Sequence, residues 1–108
     1  SVKRTAPKQV RRGAVVEVEL QLSRPAGGTG PLRIDVVESL AAGLASDTAR
    51  DGVLTYAVEL EPGALKTLRY RARARFAGDF LWPAPVAVDP WSKPYAMARG
   101  AETRLVVQ

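Results

Sequence analysis

Apolar and polar residues alternate along most of this chain with a period of two. The longest run is Leu65 to Phe80, where Leu68, Tyr70, Ala72, Ala74 and Phe76 interleave with Arg69, Arg71, Arg73 and Arg75. A period of two marks a β-strand with one buried and one wet face, whereas a helix would scatter the same residues around its circumference. The pattern predicts a long central strand with an arginine ladder outside. Ala14 to Leu22 repeats the pattern with Val16, Val18, Leu20 and Leu22 inward and Glu17, Glu19 and Gln21 outward. Leu32 to Val37 puts Leu32, Ile34 and Val36 inward, with Arg33 and Asp35 outward. Val53 to Leu60 does the same with Leu54, Tyr56, Val58 and Leu60.

Turn residues punctuate these runs. Ser23 to Pro31 is rich in Gly and Pro and too long for a hairpin, so it is read as a crossing between sheets. Glu38 to Leu44 reads as a structured loop that drops Leu40 and Leu44 into the core. Asp51-Gly52 is a two-residue hairpin signal, and Glu61-Pro62-Gly63 suits a type II turn. Phe80 to Val88 is a strand interrupted by Pro83 and Pro85, which places it at an edge or a bend. Asp89 to Gly100 reads as a loop and Ala101 to Gln108 as a last strand. About seven short strands without a helix predict an all-β, immunoglobulin-like antiparallel β-sandwich. Residues 1–9 are expected as a linker or edge strand and residues 10–108 as one sandwich domain. The expected core holds Val16, Val18, Leu20, Ile34, Val36, Leu54, Tyr56, Val58, Leu68, Tyr70 and Phe80.

Composition narrows the chemistry. The 108 residues include no Cys, His or Asn. Thiol and imidazole nucleophiles, bases and metal ligands are therefore missing, and no enzymatic activity and no cofactor are expected. Sixteen basic residues against eleven acidic ones give a net charge of +5, which permits an anionic partner without requiring one. The predominance of Arg over Lys and the richness in Ala, Val, Leu, Gly and Pro point to a GC-rich genome, and the lack of Asn and Cys fits a thermophile. No apolar run approaches the ~20 residues of a membrane span. Ser1 to Arg4 begins without an apolar signal core, so the chain reads as a fragment whose export signal, if any, lies elsewhere.

Several segments resemble known modules. The strand Ala14 to Leu22, then Pro31 to Glu38, then Leu40-Ala41-Ala42-Gly43-Leu44, then Leu60 to Gly63 running into Thr67 to Ala72, resembles an immunoglobulin-like conserved repeat domain of bacterial surface proteins, a domain of unknown function. Tyr70-Arg71-Ala72, Gly78-Asp79-Phe80, Pro83-Ala84-Pro85 and Arg99-Gly100 are similar to a macroglobulin-type domain of bacterial alpha-2-macroglobulins. Ala41 stands where the repeat family usually carries Pro, and the Asn-rich last strand of that family has no counterpart. Either resemblance implies a non-catalytic, extracytoplasmic module of a larger protein, whose partners are neighbouring domains or proteins on the cell envelope.

Two candidate surfaces follow. Arg69, Arg71, Arg73 and Arg75 stand ~6.6–7 Å apart on alternate strand positions, a spacing that suits phosphates or an acidic glycan. Four like charges on one strand equally demand nearby carboxylates, and Glu17, Glu19, Glu59 and Asp35 are the expected partners. That pairing is the favoured reading, and nucleic acid is not an expected partner. Phe80, Trp82, Trp91 and Tyr95 form the second group, as interface aromatics or as a cover for one end of the sandwich, with Trp82, Trp91 and Tyr95 the candidates for contact. Calcium binding has no supporting loop among Asp35, Glu38, Asp47, Asp51, Asp79 and Asp89. An intramolecular isopeptide bond would need Lys8 or Lys66 buried beside an acid.

Overall fold

A computed structural model describes residues 1–91 and 96–108, and of residues 96 and 97 the backbone alone. Among the described residues every regular element is a strand. β1 (Val2–Thr5), β3 (Val15–Ser23), β7 (Leu65–Ala74) and β5 (Leu44–Ala45) form one sheet in the order β1-β3-β7-β5. β10 (Ala96–Arg99), β9 (Val86–Val88), β4 (Leu32–Ser39) and β6 (Val53–Leu60) form the facing sheet in that order. A third sheet, β2-β11-β8, joins Gln9–Val10, Thr103–Val107 and Gly78–Trp82. The result is an immunoglobulin-like β-sandwich with eleven strands among the described residues, four more than the alternation pattern predicts. The extra ones are mostly short. β2 and β5 have two residues each, too few to show a period, and β10 lies inside the segment read as a loop.

Parity decides the core. Val16, Val18, Leu20 and Leu22 of β3 face Ile34 and Val36 of β4 and Leu54, Val58 and Leu60 of β6, all buried. Each such side chain contributes roughly 1.5–3 kcal/mol when fully taken out of water. Leu40 and Leu44 enter the core from their loop as expected. Tyr56, Leu68 and Phe80 are only half-buried and pack against the rim. Phe76 does not belong to the inward row. β7 ends at Ala74, the Gly43 carbonyl accepts the Arg75 amide at 2.8 Å, and the Phe76 side chain is 63% exposed. Gly43 packs closely under the Phe80 ring: a Cβ there would lie 2.7 Å from Phe80 Cδ2, so the half-buried ring would have to shift to admit one.

The turns follow their chemistry. Arg50 and Val53 exchange backbone hydrogen bonds of 2.9 and 3.0 Å across Asp51-Gly52, where both residues have positive φ. Positive φ at both central positions is what a two-residue type I′ hairpin needs. Ser23 to Pro31 crosses between the facing sheets, held by Arg24 Nη1, which donates to the carbonyls of Gly30 and Leu60 at 2.6 and 2.7 Å. The prolines at 83 and 85 fall where the chain leaves the third sheet after β8 and enters the second as β9.

β7 is not a central strand over its whole length. β3 pairs with it from Val15↔Arg73 to Ser23↔Leu65, but on the other side β5 reaches only Ala74 and Arg73. The alternation reads the two faces of a strand; it carries no information about how many neighbours lie beside it.

Candidate functional site

The arginine face is a matched sheet surface. Register puts Glu19 opposite Arg69 and Glu17 opposite Arg71, and the N–O distances are 3.0 Å in both pairs. Arg73 stands opposite Val15 and donates from Nη1 to the Gly13 carbonyl at 3.0 Å. Arg75 lies past the strand end and is exposed. Two of the four expected carboxylates are therefore in place. Glu59 and Asp35 are not: they sit on β6 and β4 in the facing sheet, where Glu59 is opposite Arg33. A groove of about 450 Å³ runs over this face where Ala6 and Pro7 carry the chain away from β3, with the two ion pairs on its floor.

A second polar cluster is hidden inside. Glu38 continues the inward row of Leu32, Ile34 and Val36 and is fully buried. Arg4 of β1 meets it with a forked guanidinium, Nε donating to Oε2 at 2.8 Å and Nη2 to Oε1 at 2.6 Å. Tyr70 donates its hydroxyl to Oε2 at 2.8 Å. Arg4 also donates to the Pro83 carbonyl, and its guanidinium carbon lies 4.5 Å from the Trp82 ring centroid. Among the described residues no buried side-chain polar atom lacks a hydrogen-bond partner. Burial pushes the Tyr70 phenol far above its usual range, and the Glu38 carboxylate beside it adds to the effect. Tyr56 is pushed up for the same two reasons in the same order. The alternation read over Leu32 to Val37 stops one residue short of Glu38, and one more step of its parity places this carboxylate in the core.

The aromatic group divides. Trp82 is 1% exposed, lies under Arg4 and donates Nε1–H to the Ser39 carbonyl at 3.0 Å, so it is a core residue and takes no part in an outer contact surface. Trp91 is 83% exposed, with its amide bonded to the Asp89 carboxylate at 2.8 Å. Tyr95 lies outside the described residues. Lys8 and Lys66 are both exposed, which does not suit an isopeptide bond. Among the described residues no group of three or more acidic side chains gathers as a metal site would require, and no helix is long and apolar enough to cross a membrane.

No family model matches this chain, and no curated protein matches it. Among solved structures it is similar to the CARDB domain of a Pyrococcus furiosus protein, determined in complex with di-metal ions. The TM-score is 0.72 at 16% identity, over 100% of this chain and 86% of that one. The likeness establishes an immunoglobulin-like fold and does not reach either of the two families that the sequence resembles.

Proposed function

We propose that the chain is a single non-enzymatic domain, a spacer or interaction module in a larger bacterial exported or surface protein. The observation that carries this reading is the placement of its two ends. Ser1 hydrogen-bonds to Ser23 at the far end of β3, while the Gln108 carbonyl accepts the Arg12 amide just before β3 begins. At a rise of about 3.3 Å per residue the ends stand roughly 30 Å apart along the strands. The long axis of the molecule is 47 Å against widths of 23 and 21 Å. A chain that enters at one end and leaves at the other suits domains strung in line. A pull on β1 and β11 acts along the strands, so their ladders are loaded in shear.

Small-angle scattering on two copies joined by a short linker tests this. The particle should lengthen by about one long axis, 47 Å, per added copy. A pair folded side by side would overturn it. Extracytoplasmic placement is a separate part of the proposal, and it rests on the resemblance of segments such as Tyr70-Arg71-Ala72 and Gly78-Asp79-Phe80 to modules of envelope proteins. Fractionation of the source cells should recover the domain at the surface, in the periplasm or in the medium; recovery with the cytoplasmic fraction alone would refute that placement.

A further inference from the structure

The free side of β7 has a defined hydrogen-bonding pattern. Ala74 donates its amide to Ala14 at 2.9 Å, and at the other end Ala64 accepts from Arg24 at 3.0 Å, so even-numbered residues turn their backbone groups toward β3. Arg75 donates instead to Gly43 in the chain leading to β5. N–H and C=O of one residue point to the same side of an antiparallel strand, and successive residues alternate. Thr67, Arg69 and Arg71 therefore aim their N–H and C=O groups at the side where β5 stops, at Ala45. No strand among the described residues pairs with them there.

This edge borders an open cleft of about 660 Å³. Leu54, Thr55 and Tyr56 of β6 line its far wall, and Ser46, Asp47 and Thr48 close one end. A strand laid along β7 would continue the short antiparallel ladder of β5. Its alternate side chains would fall beside Arg69 and Arg71 on the outer face, and the others over Tyr56 and Tyr70 in the cleft. The arginines select the partner. A second copy pairing β7 to β7 would oppose arginine to arginine, a like-charge contact that natural edge strands use to prevent self-pairing.

We propose that the Thr67–Arg71 edge of β7 is a strand-addition site for an extended segment of a partner protein that carries Glu or Asp at alternate positions and apolar residues between them. The pattern has a template in the molecule itself, because Val16-Glu17-Val18-Glu19-Leu20 already occupies the opposite edge of β7 in this chemistry. This deepens the reading as an interaction module. The scattering test of joined copies is read independently of it.

The probe is a synthetic peptide with the sequence of residues 15–23, compared with the same peptide bearing Lys at both Glu positions. Amide hydrogen exchange on the labelled protein supplies the readout. The acidic peptide should slow exchange at Thr67, Arg69 and Arg71 and leave Leu68 and Tyr70, already bonded to β3, unchanged. The Lys peptide should bind more weakly, on the order of tenfold. The variant Glu17→Arg, Glu19→Arg, Arg69→Glu, Arg71→Glu keeps both cross-strand ion pairs and should reverse the preference. No protection by millimolar acidic peptide, equal protection by both peptides, or protection at other strands would each overturn the proposal. Protection that rises with protein concentration in the absence of peptide would assign the edge to a second copy and overturn it as well.

Discussion

Arg4 and Glu38 form a fully enclosed ion pair: the shorter N–O distance is 2.6 Å, and their side chains are 3% and 0% exposed. The pair ties edge strand β1 to β4 of the facing sheet, and the hydroxyl of Tyr70 and the ring of Trp82 complete its surroundings. Charges removed from water this completely stabilise little by themselves, but breaking one partner off leaves the other uncompensated. Arg4→Ala should cost about 3–5 kcal/mol in urea unfolding, and Glu38→Ala a similar amount. The triple change Arg4→Met, Glu38→Met, Tyr70→Phe removes both charges and the Tyr70 hydroxyl together, leaves the Pro83 carbonyl without its Arg4 donor, and should recover most of that loss. A triple variant as unstable as Arg4→Ala would mean that the pair itself, and not the orphaned charge, supplies the stability.

The same cluster sets an alkaline limit. The Tyr70 phenol is raised by burial first and by Glu38 second, so its folded-state pKa lies above the unfolded value of about 10. Tyrosine is neutral when protonated. The folded state therefore holds the proton more tightly, and its contribution is fully present below pH ~10 and lost as pH rises above that. The decline from Tyr70 should approach about 1.4 kcal/mol per pH unit, with Tyr56 adding in the same direction. Tyr70→Phe should flatten the curve above pH ~10. At neutral pH it should cost about 1.5–3 kcal/mol, the worth of a hydrogen bond to a charged group. Unfolding midpoints from pH 7 to 11.5 decide the matter; a variant with an unchanged alkaline slope would rule Tyr70 out as its source.

Most of the sandwich was legible because its long strands bury one face and wet the other. β3, β4, β6 and β7 each show the two-residue period, and the turns between them use Asp-Gly, Pro-Gly or proline where the backbone needs them. What was not legible has three physical sources. β2, β5 and β10 are short and defined by their partners, which a local pattern does not contain. Phe76 kept the period of β7 after Gly43 had already ended the strand. Glu38 and Arg4 are charged residues on buried positions, one in a segment that reads as a loop and the other in one that reads as a linker or edge strand, and only the fold brings them together across 34 residues. The arginine pairing was half legible: facing carboxylates were required by repulsion, but only the register says that Glu17 and Glu19 supply them.

Those surface pairs should behave quite unlike the enclosed one. The side chains of Arg69 and Arg71 are about three-quarters exposed, and pairs of that kind contribute about 0.2–1 kcal/mol and weaken with salt. Arg69→Gln and Arg71→Gln should each shift stability by less than about 1 kcal/mol, and by less still in molar salt. With Glu17 and Glu19 interleaved beside Arg71 and Arg69, the face offers heparin no unbroken positive stripe. Unlike an added strand, heparin also gains no backbone ladder, so the domain should pass through a heparin column at physiological ionic strength. Retention with a steep salt dependence, lost in the Arg73→Gln, Arg75→Gln variant, would restore the polyanion reading of the ladder.

The two tryptophans offer the last test, because their surroundings differ so sharply. Trp82 is sealed beneath the Arg4 guanidinium with its N–H satisfied by Ser39, whereas Trp91 stands in solvent. Intrinsic fluorescence should split into one component open to acrylamide and one protected from it. Trp91→Phe should remove the open component and leave stability unchanged within about 0.5 kcal/mol, as for a surface change away from any special feature. Trp82→Ala should cost about 3–5 kcal/mol, since it empties a core site and uncovers the Arg4–Glu38 pair. If Trp91 instead proved protected in the isolated chain, it would be packed against protein and unavailable as a contact residue. If it became protected only when flanking domains are attached, Trp91 would mark the surface on which the next module sits.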